Sequence, residues 1–196
     1  MKVLNAGYVH LINWMGGDRA AIDAARRCYD SEGDHEANAR LIKHLLKKGH
    51  ESPFEFMVFT FDVKAPTFVA RQWMRHRIGS FAERSLRYCE AEAEFFVPDN
   101  IAAYLGKEAW HFENSYEIAM ETYYMLIEKG VPREQARALL PLGLYTTFLW
   151  SVNGRSLLNF LRLREDKSAQ AEIREYAQAI RQLAAEVAPL TFGEEG

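Results

Sequence analysis

The sequence predicts an α+β fold: a small antiparallel sheet flanked by helices, as a single domain over residues 1–196. Three observations predict it. Met57 to Val63 and Leu144 to Val152 are runs dense in β-branched and aromatic residues, the composition of buried strands. Around them lie segments whose apolar residues recur every three or four positions, the period of a helix with one buried face. No repeat, low-complexity stretch or linker separates these segments, and 196 residues suffice for one sizeable core.

Taken in order, Val3 to Trp14 alternates loosely and reads as one or two strands before the Gly16-Gly17-Asp18 turn. Asp18 is placed to N-cap a helix running through Ala20, Ile22 and Ala25 towards Tyr29, because a short carboxylate can accept the orphan N–H groups of a first turn. Ser31 to Asp34 is a loop. His35 to Lys48 carries a helical stripe (Ala39, Leu41, Ile42, Leu45, Leu46) that Gly49 closes, glycine being at ease in the left-handed C-cap conformation. After the first strong strand, Pro66 can open a helix over Thr67 to Arg77, on which Gln72 and His76 stand one turn apart, as do Arg71 and Arg75.

Phe95 to Val97 reads as a short strand and Ala102 to Lys129 as one long helix closed by Gly130. A short helix restarts after Pro132 and carries Arg133 and Arg137. Asn153 then caps a helix over Arg155 to Leu163, and Ser168 opens a final helix to Val187 that Pro189 stops.

Composition excludes several classes. The chain holds 24 Lys and Arg against 27 Asp and Glu, a net charge of -3, so it lacks the basic excess of a general nucleic-acid binder. Its two cysteines, Cys28 and Cys89, lie far apart without C-x-x-C spacing, which predicts reduced thiols and neither a metal site nor a disulfide framework. The N-terminus turns polar at once and no apolar run is long enough for a membrane span, so the expectation is a soluble cytoplasmic protein without membrane partners.

Against that acidic background, Arg71 to Tyr88 concentrates five arginines and one glutamate, a local charge of +4. Guanidinium groups donate two parallel hydrogen bonds and so match phosphate and carboxylate. The charges are interleaved with Trp73, Met74, Ile78, Phe81 and Leu86, which want burial, as a purely solvated basic face would not be. Glu83, Ser85 and Arg87 alternate, and in extended backbone they would point to one side. The segment therefore reads as a site for an anionic ligand.

Three further clusters carry candidate chemistry: His50 with Ser52 and Glu55; Arg133 with Arg137; and Asn153, Arg155 and Asn159 followed by Arg162 and Arg164. Arg155 and Asn159 share one helix face. Arg164 falls nine residues after Arg155, about half a revolution round a helix. The two arginines should therefore not serve one small ligand from one unbroken helix. Either the helix ends before Arg164, or the two meet different ligand parts, across a subunit boundary in one version. No G-x-G-x-x-G, G-x-x-x-x-G-K-[ST] or H-E-x-x-H pattern is present, so arginine side chains must supply any phosphate recognition.

Arg75-His76-Arg77, seven residues, then Ser85 resembles the RHR-x7-S signature of flavin-dependent thymidylate synthases. The similarity extends to Gly49-His50-Glu51-Ser52-Pro53-Phe54-Glu55, Ala70-Arg71-Gln72-Trp73, Pro132-Arg133-Glu134 with Ala136-Arg137, and Asn153 through Arg164. This resemblance implies reductive methylation of dUMP to dTMP, with methylenetetrahydrofolate as one-carbon donor and NADPH reducing FAD, in a homotetramer with active sites shared between subunits. It implies a dUMP set of Gln72, Arg75, Glu83, Arg84, Ser85, Arg87, Arg137 and Arg164, the last acting catalytically by favouring the N3-ionised uracil. It implies a FAD set of Ser52, Arg75, His76, Arg77, Glu83, Asn153, Arg155 and Asn159, and no metal. Ala82, where many members have Asn, and Phe56, where many have His, depart from the pattern. Two other readings compete: a nucleotide- or RNA-binding module without chemistry, and the unrelated thymidylate synthase with a cysteine nucleophile, here Cys89.

Overall fold

In a computed structural model, which describes residues 1–28 and 30–193, five strands form one antiparallel sheet in the order β1-β2-β3-β5-β4. The strands are β1 (Lys2–Val3), β2 (Gly7–Met15), β3 (Val58–Pro66), β4 (Ser80–Glu83) and β5 (Tyr145–Asn153). β3 is central and pairs along its whole length with β5, Val58 opposite Asn153 and Pro66 opposite Tyr145. Along β3, Phe59, Phe61, Val63 and Ala65 are fully buried while Val58, Thr60, Asp62 and Lys64 on the other face are half-buried, the two-residue alternation of a sheet packed on one side.

Helices cover that apolar face: α1 (Gly17–Arg27), α2 (His35–Lys48), α3 (Thr67–Trp73), α7 (Gly154–Arg164), α8 (Ala171–Val187) and α9 (Pro189–Phe192). Trp73 and Trp150 sit at the centre, edge-to-face at 5.4 Å, with Phe148, Phe160 and Tyr176 around Trp73. Burying each such ring stabilises the fold by about 1.5–3 kcal/mol. A smaller cluster of Ala91, Met120, Tyr123, Ala136 and Leu144 lies under α5 (Trp110–Glu128) and α6 (Arg133–Ala136).

The strands predicted over Val3 to Trp14, Met57 to Val63 and Leu144 to Val152, the α2 helix with its Gly49 C-cap at φ 66°, and the Asn153 cap of α7 are present; Asn153 Oδ1 accepts from the Ser156 N–H at 2.8 Å. Several expectations are corrected. Asp18 lies inside the first turn of α1, where Gly16 holds the cap position, and its carboxylate reaches across to α9, accepting from the N–H groups of Leu190 and Thr191 and from the Thr191 hydroxyl. The far end of that first helix, at Tyr29, lies outside the described residues.

The helix expected over Thr67 to Arg77 stops at Trp73, because the buried indole fixes it there and the chain must turn to lay β4 along β5. The long helix from Ala102 to Lys129 is broken at Gly106, whose φ of 55° and ψ of -126° no other residue adopts readily, leaving α4 (Ile101–Leu105), a 3-10 turn and α5. Phe95 to Val97 contributes one bridge, Phe95 to Leu144, rather than a strand. Ser168 closes a turn on Asp166, and α8 begins at Ala171.

Candidate functional site

The Arg75-His76-Arg77 segment occupies the turn between α3 and β4. Two backbone bonds, Arg75 N–H to Gln72 O and His76 N–H to Trp73 O, tighten the end of α3 and throw the three side chains out of the core. Gly79 lets the chain pass onto the edge of β5: a Cβ there would lie 2.9 Å from Trp150 Nε1 and 3.0 Å from Ser151 O. β4 then pairs with β5 from Ser80 opposite Ser151 to Glu83 opposite Phe148.

On the other side of this turn, β5 hands over directly to α7. The two together wall a cleft of about 680 Å³, lined by Arg75, His76, Arg77, Asn153, Arg155, Asn159 and Arg164, with Glu51, Glu55 and Ser156. The N-terminus of α7 opens into it, so the helix dipole adds positive potential, although the Gly154 and Ser156 N–H groups are already taken by Met57 O and Asn153 Oδ1.

Arg155 and Arg164 are held in opposite ways. Arg155 is exposed and pairs with two carboxylates, Glu51 Oε2 at 3.1 Å from its Nε and Glu55 Oε1 at 2.6 Å from its Nη1. Arg164 is half-buried. Its Nε donates to His76 Nε2 at 2.9 Å, and its Nη2 donates at 3.1 Å to the Gln72 carbonyl, which also takes the Arg75 N–H at the end of α3. Burial, with the Arg164 cation beside it, pushes the His76 imidazole down to about 4. Burial also lowers Arg164 from its ordinary value.

α7 runs unbroken from Gly154 to Arg164, which removes the first of the two alternatives for this pair. The half-revolution between them holds for direction, since Arg155 turns to Glu51 and Glu55 and Arg164 to His76. It fails for location, because long side chains bring both to one cleft.

The remaining sequence-predicted residues lie elsewhere. Ser52 lines a neighbouring cavity of about 940 Å³ that shares Glu51 and Arg155 with the cleft and also includes His44 and His50. Glu83, Arg84, Ser85 and Arg137 line a third cavity of about 450 Å³, together with Lys64, Tyr145 and Thr146. Glu83 accepts from the Thr146 hydroxyl at 2.8 Å. Arg84 bonds Glu92 Oε1 at 2.6 Å and the Glu90 carbonyl at 3.1 Å; the Glu92 bond raises its guanidinium and holds the Glu92 carboxyl below its ordinary value.

Glu83, Ser85 and Arg87 do not project to one side as expected, because β4 ends at Glu83 and Ser85 to Cys89 is a turn closed by the Tyr88 and Cys89 N–H groups on Ser85 O. Arg87 meets Glu134 at 3.4 Å and Gln72 bonds Gln170 at 2.5 Å; neither lines these cavities. Arg75 and Arg137 thus face different cavities of the protomer.

Sequence reasoning placed Glu55 only as a companion of His50 and Ser52, and assigned no role to Glu51 or Lys64. The signal for the glutamates was present as two carboxylates four residues apart beside a segment poor in counter-charge for its arginines. Lys64, paired with Glu94, is a lone cation on the open face of β3. Cys28 and Cys89 are free and exposed. Among the described residues no helix is long and apolar enough to cross a membrane.

Four guanidinium groups against two carboxylates leave the α7 cleft positive in a chain of net negative charge. An α+β domain with a positive cleft that suits an anionic ligand is the class this combination defines. Residues 10–190 match the family model described as thymidylate synthase complementing protein. A flavin-dependent thymidylate synthase of Thermotoga neapolitana is 47% identical over 98% of this chain and 92% of its own, and that of Pseudothermotoga lettingae is 45% identical over 98% and 91%. The crystal structure of the UMP/dUMP methylase PolB from Streptomyces cacaoi bound with 5-Br dUMP is similar with a TM-score of 0.89 and 32% identity, covering 98% of this chain and 95% of that one. The chain belongs to the flavin-dependent thymidylate synthase family.

Proposed function

We propose that this protein methylates dUMP reductively to dTMP, taking the one-carbon unit from methylenetetrahydrofolate and its reducing equivalents from NADPH through FAD. The observation that carries the reading is the convergence of Arg75, His76, Arg77, Asn153, Arg155, Asn159 and Arg164 on one cleft. The named activity of the relatives and the 5-Br dUMP held by the similar methylase support it.

The residues present fit a flavin dinucleotide. The cleft and the cavity beside it are each of the size that encloses an extended cofactor, and they join at Glu51 and Arg155. Arg75, Arg77 and Arg155, with the N-terminus of α7, supply the donors that a pyrophosphate requires. When bound, FAD supplies the two electrons of the reduction. Arg155 exchanges Glu51 and Glu55 for the anionic cofactor. Arg164 directs N–H groups at the pyrimidine edge where negative charge develops, raising electron density towards the carbon that takes the methyl group. Held in register, substrate and cofactor react as one molecule.

The nucleotide set is divided within the protomer: Arg75 and Arg164 face the α7 cleft, whereas Glu83, Arg84, Ser85 and Arg137 face the third cavity. A homotetramer with active sites shared between subunits reunites the two halves, the second coming from a neighbouring copy. The test is the visible spectrum and turnover of the purified protein. A flavin spectrum that bleaches with NADPH, and dTMP formed from dUMP and methylenetetrahydrofolate, are the expected results. Colourless protein that stays inert when FAD is added refutes the reading.

A further inference from the structure

Arg164 is the last residue of α7, and the link between it and His76 is directional. A guanidinium has donors only, so at 2.9 Å from Arg164 Nε the His76 Nε2 atom must present a lone pair. The ring proton is then on Nδ1, and the imidazole is neutral. Its place is fixed from two further sides: the His76 N–H is bonded to Trp73 O at 3.0 Å, and the ring rests edge-on against Phe160 at 5.0 Å, one turn before Arg164 on the same helix. The Gln72 carbonyl, at 3.1 Å, takes one N–H of Nη2. The guanidinium is thereby gripped at Nε and at one corner of Nη2, and its other N–H groups remain for the cleft.

We infer that His76 is the positioning residue for Arg164: as a neutral acceptor locked in the Nδ1–H tautomer, it aims the guanidinium at the pyrimidine edge of the bound nucleotide. This rests on the proposed reaction and assigns to the histidine a duty other than contact with the flavin. Without the acceptor, Arg164 keeps its charge but loses the bond that sets its Nε, and the side chain swings over several rotamers. Depression of the imidazole to about 4 by burial and by Arg164 agrees with a ring that stays neutral at working pH.

Two variants and one measurement on the unaltered protein test this. His76→Gln places an amide oxygen where Nε2 stood and keeps an acceptor; His76→Leu keeps bulk and removes it. With flavin saturating, His76→Leu is expected to lower kcat by about 10- to 100-fold, the usual effect of removing one partner of a charged hydrogen bond, with KM for dUMP little changed. His76→Gln recovers most of that loss. Equal turnover in the two variants, or a loss in His76→Leu that added FAD fully repairs, overturns the inference.

Nitrogen-15 spectra of the histidine-labelled protein give a reading that needs no activity. They are expected to show His76 with Nδ1 protonated and Nε2 bare at pH 6. A charged ring or the opposite tautomer there overturns the inference even if dTMP is formed. If the tautomer is as inferred and no dTMP forms, it is the proposed reaction that has failed.

Discussion

Arg155 and Arg164 lie at the two ends of one unbroken helix and still line the same cleft, the first tied to Glu51 and Glu55 and the second to His76. One helix therefore presents an exposed, carboxylate-paired cation at its N-terminus, where the dipole already favours anions, and a gripped cation at its C-terminus. The first suits capture of a ligand, the second a fixed charge beside reacting atoms.

Replacing Arg164 by alanine separates these duties. The variant should retain flavin, since Arg75, Arg77 and Arg155 are untouched, while dTMP formation falls by roughly 100-fold or more, the scale of losing one preorganised donor. Absorbance of the purified protein and turnover at saturating dUMP measure the two effects. Unchanged turnover removes Arg164 from the chemistry.

Glu51 and Glu55 hold Arg155, and on the proposed reading the anionic cofactor displaces them. Glu55→Gln should tighten flavin binding, seen as a lower Kd in titration of the apoprotein, with no resolvable change in Tm because the pair is exposed. Arg155→Ala should weaken it, most strongly at low salt.

The fold was legible where local chemistry and tertiary context agree. Asn153, Gly49 and the aromatic runs of β3 and β5 do in the structure what their residue types favour. β4 was not legible, since Ser80 to Glu83 is short, polar and at the sheet edge, and pairing with β5 rather than its own composition makes it a strand. Arg84 reads as a ligand arginine by charge, yet its fork is taken up by Glu92 and Glu90, partners that only the turn after Ser85 brings near. The α7 half of the site was readable because it lies on two contiguous motifs. The distribution of the expected nucleotide residues between two cavities depends on chain packing, about which spacing carries no information.

Asp18 joins the first and last helices of the described chain, accepting three hydrogen bonds from Leu190 and Thr191. Asp18→Ala leaves those donors unmatched in a half-buried place and should lower stability by about 1–3 kcal/mol in urea unfolding. Turnover of the folded fraction should be unchanged, since Asp18, Leu190 and Thr191 line none of the three cavities that hold candidate site residues.

Acid should weaken the fold through His76. Its imidazole titrates at about 4 in the folded protein against an ordinary 6.5, so between those values the unfolded chain binds the extra proton and stability is lost as pH falls. Above pH 6.5 the ring is neutral in both states and contributes nothing pH-dependent; below about 4 the loss is complete. Arg164 faces the ring and Arg75 and Arg77 flank it in the chain, while Glu51 and Glu55 are engaged by Arg155, so the surrounding charge opposes protonation. Measured as Tm against pH, the unaltered protein should fall more steeply than His76→Gln between pH 6.5 and 4. Parallel curves would show that His76 is not the group responsible.

Division of the proposed nucleotide residues between two cavities has a consequence that mixing subunits can read. Arg137→Ala and Arg164→Ala should each be inactive alone. If every site takes Arg164 from one copy and Arg137 from another, a hybrid made by co-expressing the two variants contains sites in which both arginines survive. Random assembly gives roughly a quarter of all sites this pairing, so activity should return to about that fraction of the unaltered enzyme. Sites built within one chain allow no such recovery, since each chain lacks one arginine or the other. Recovery on mixing, with none when the two substitutions are combined in a single chain, places Arg137 and Arg164 on opposite sides of a subunit boundary.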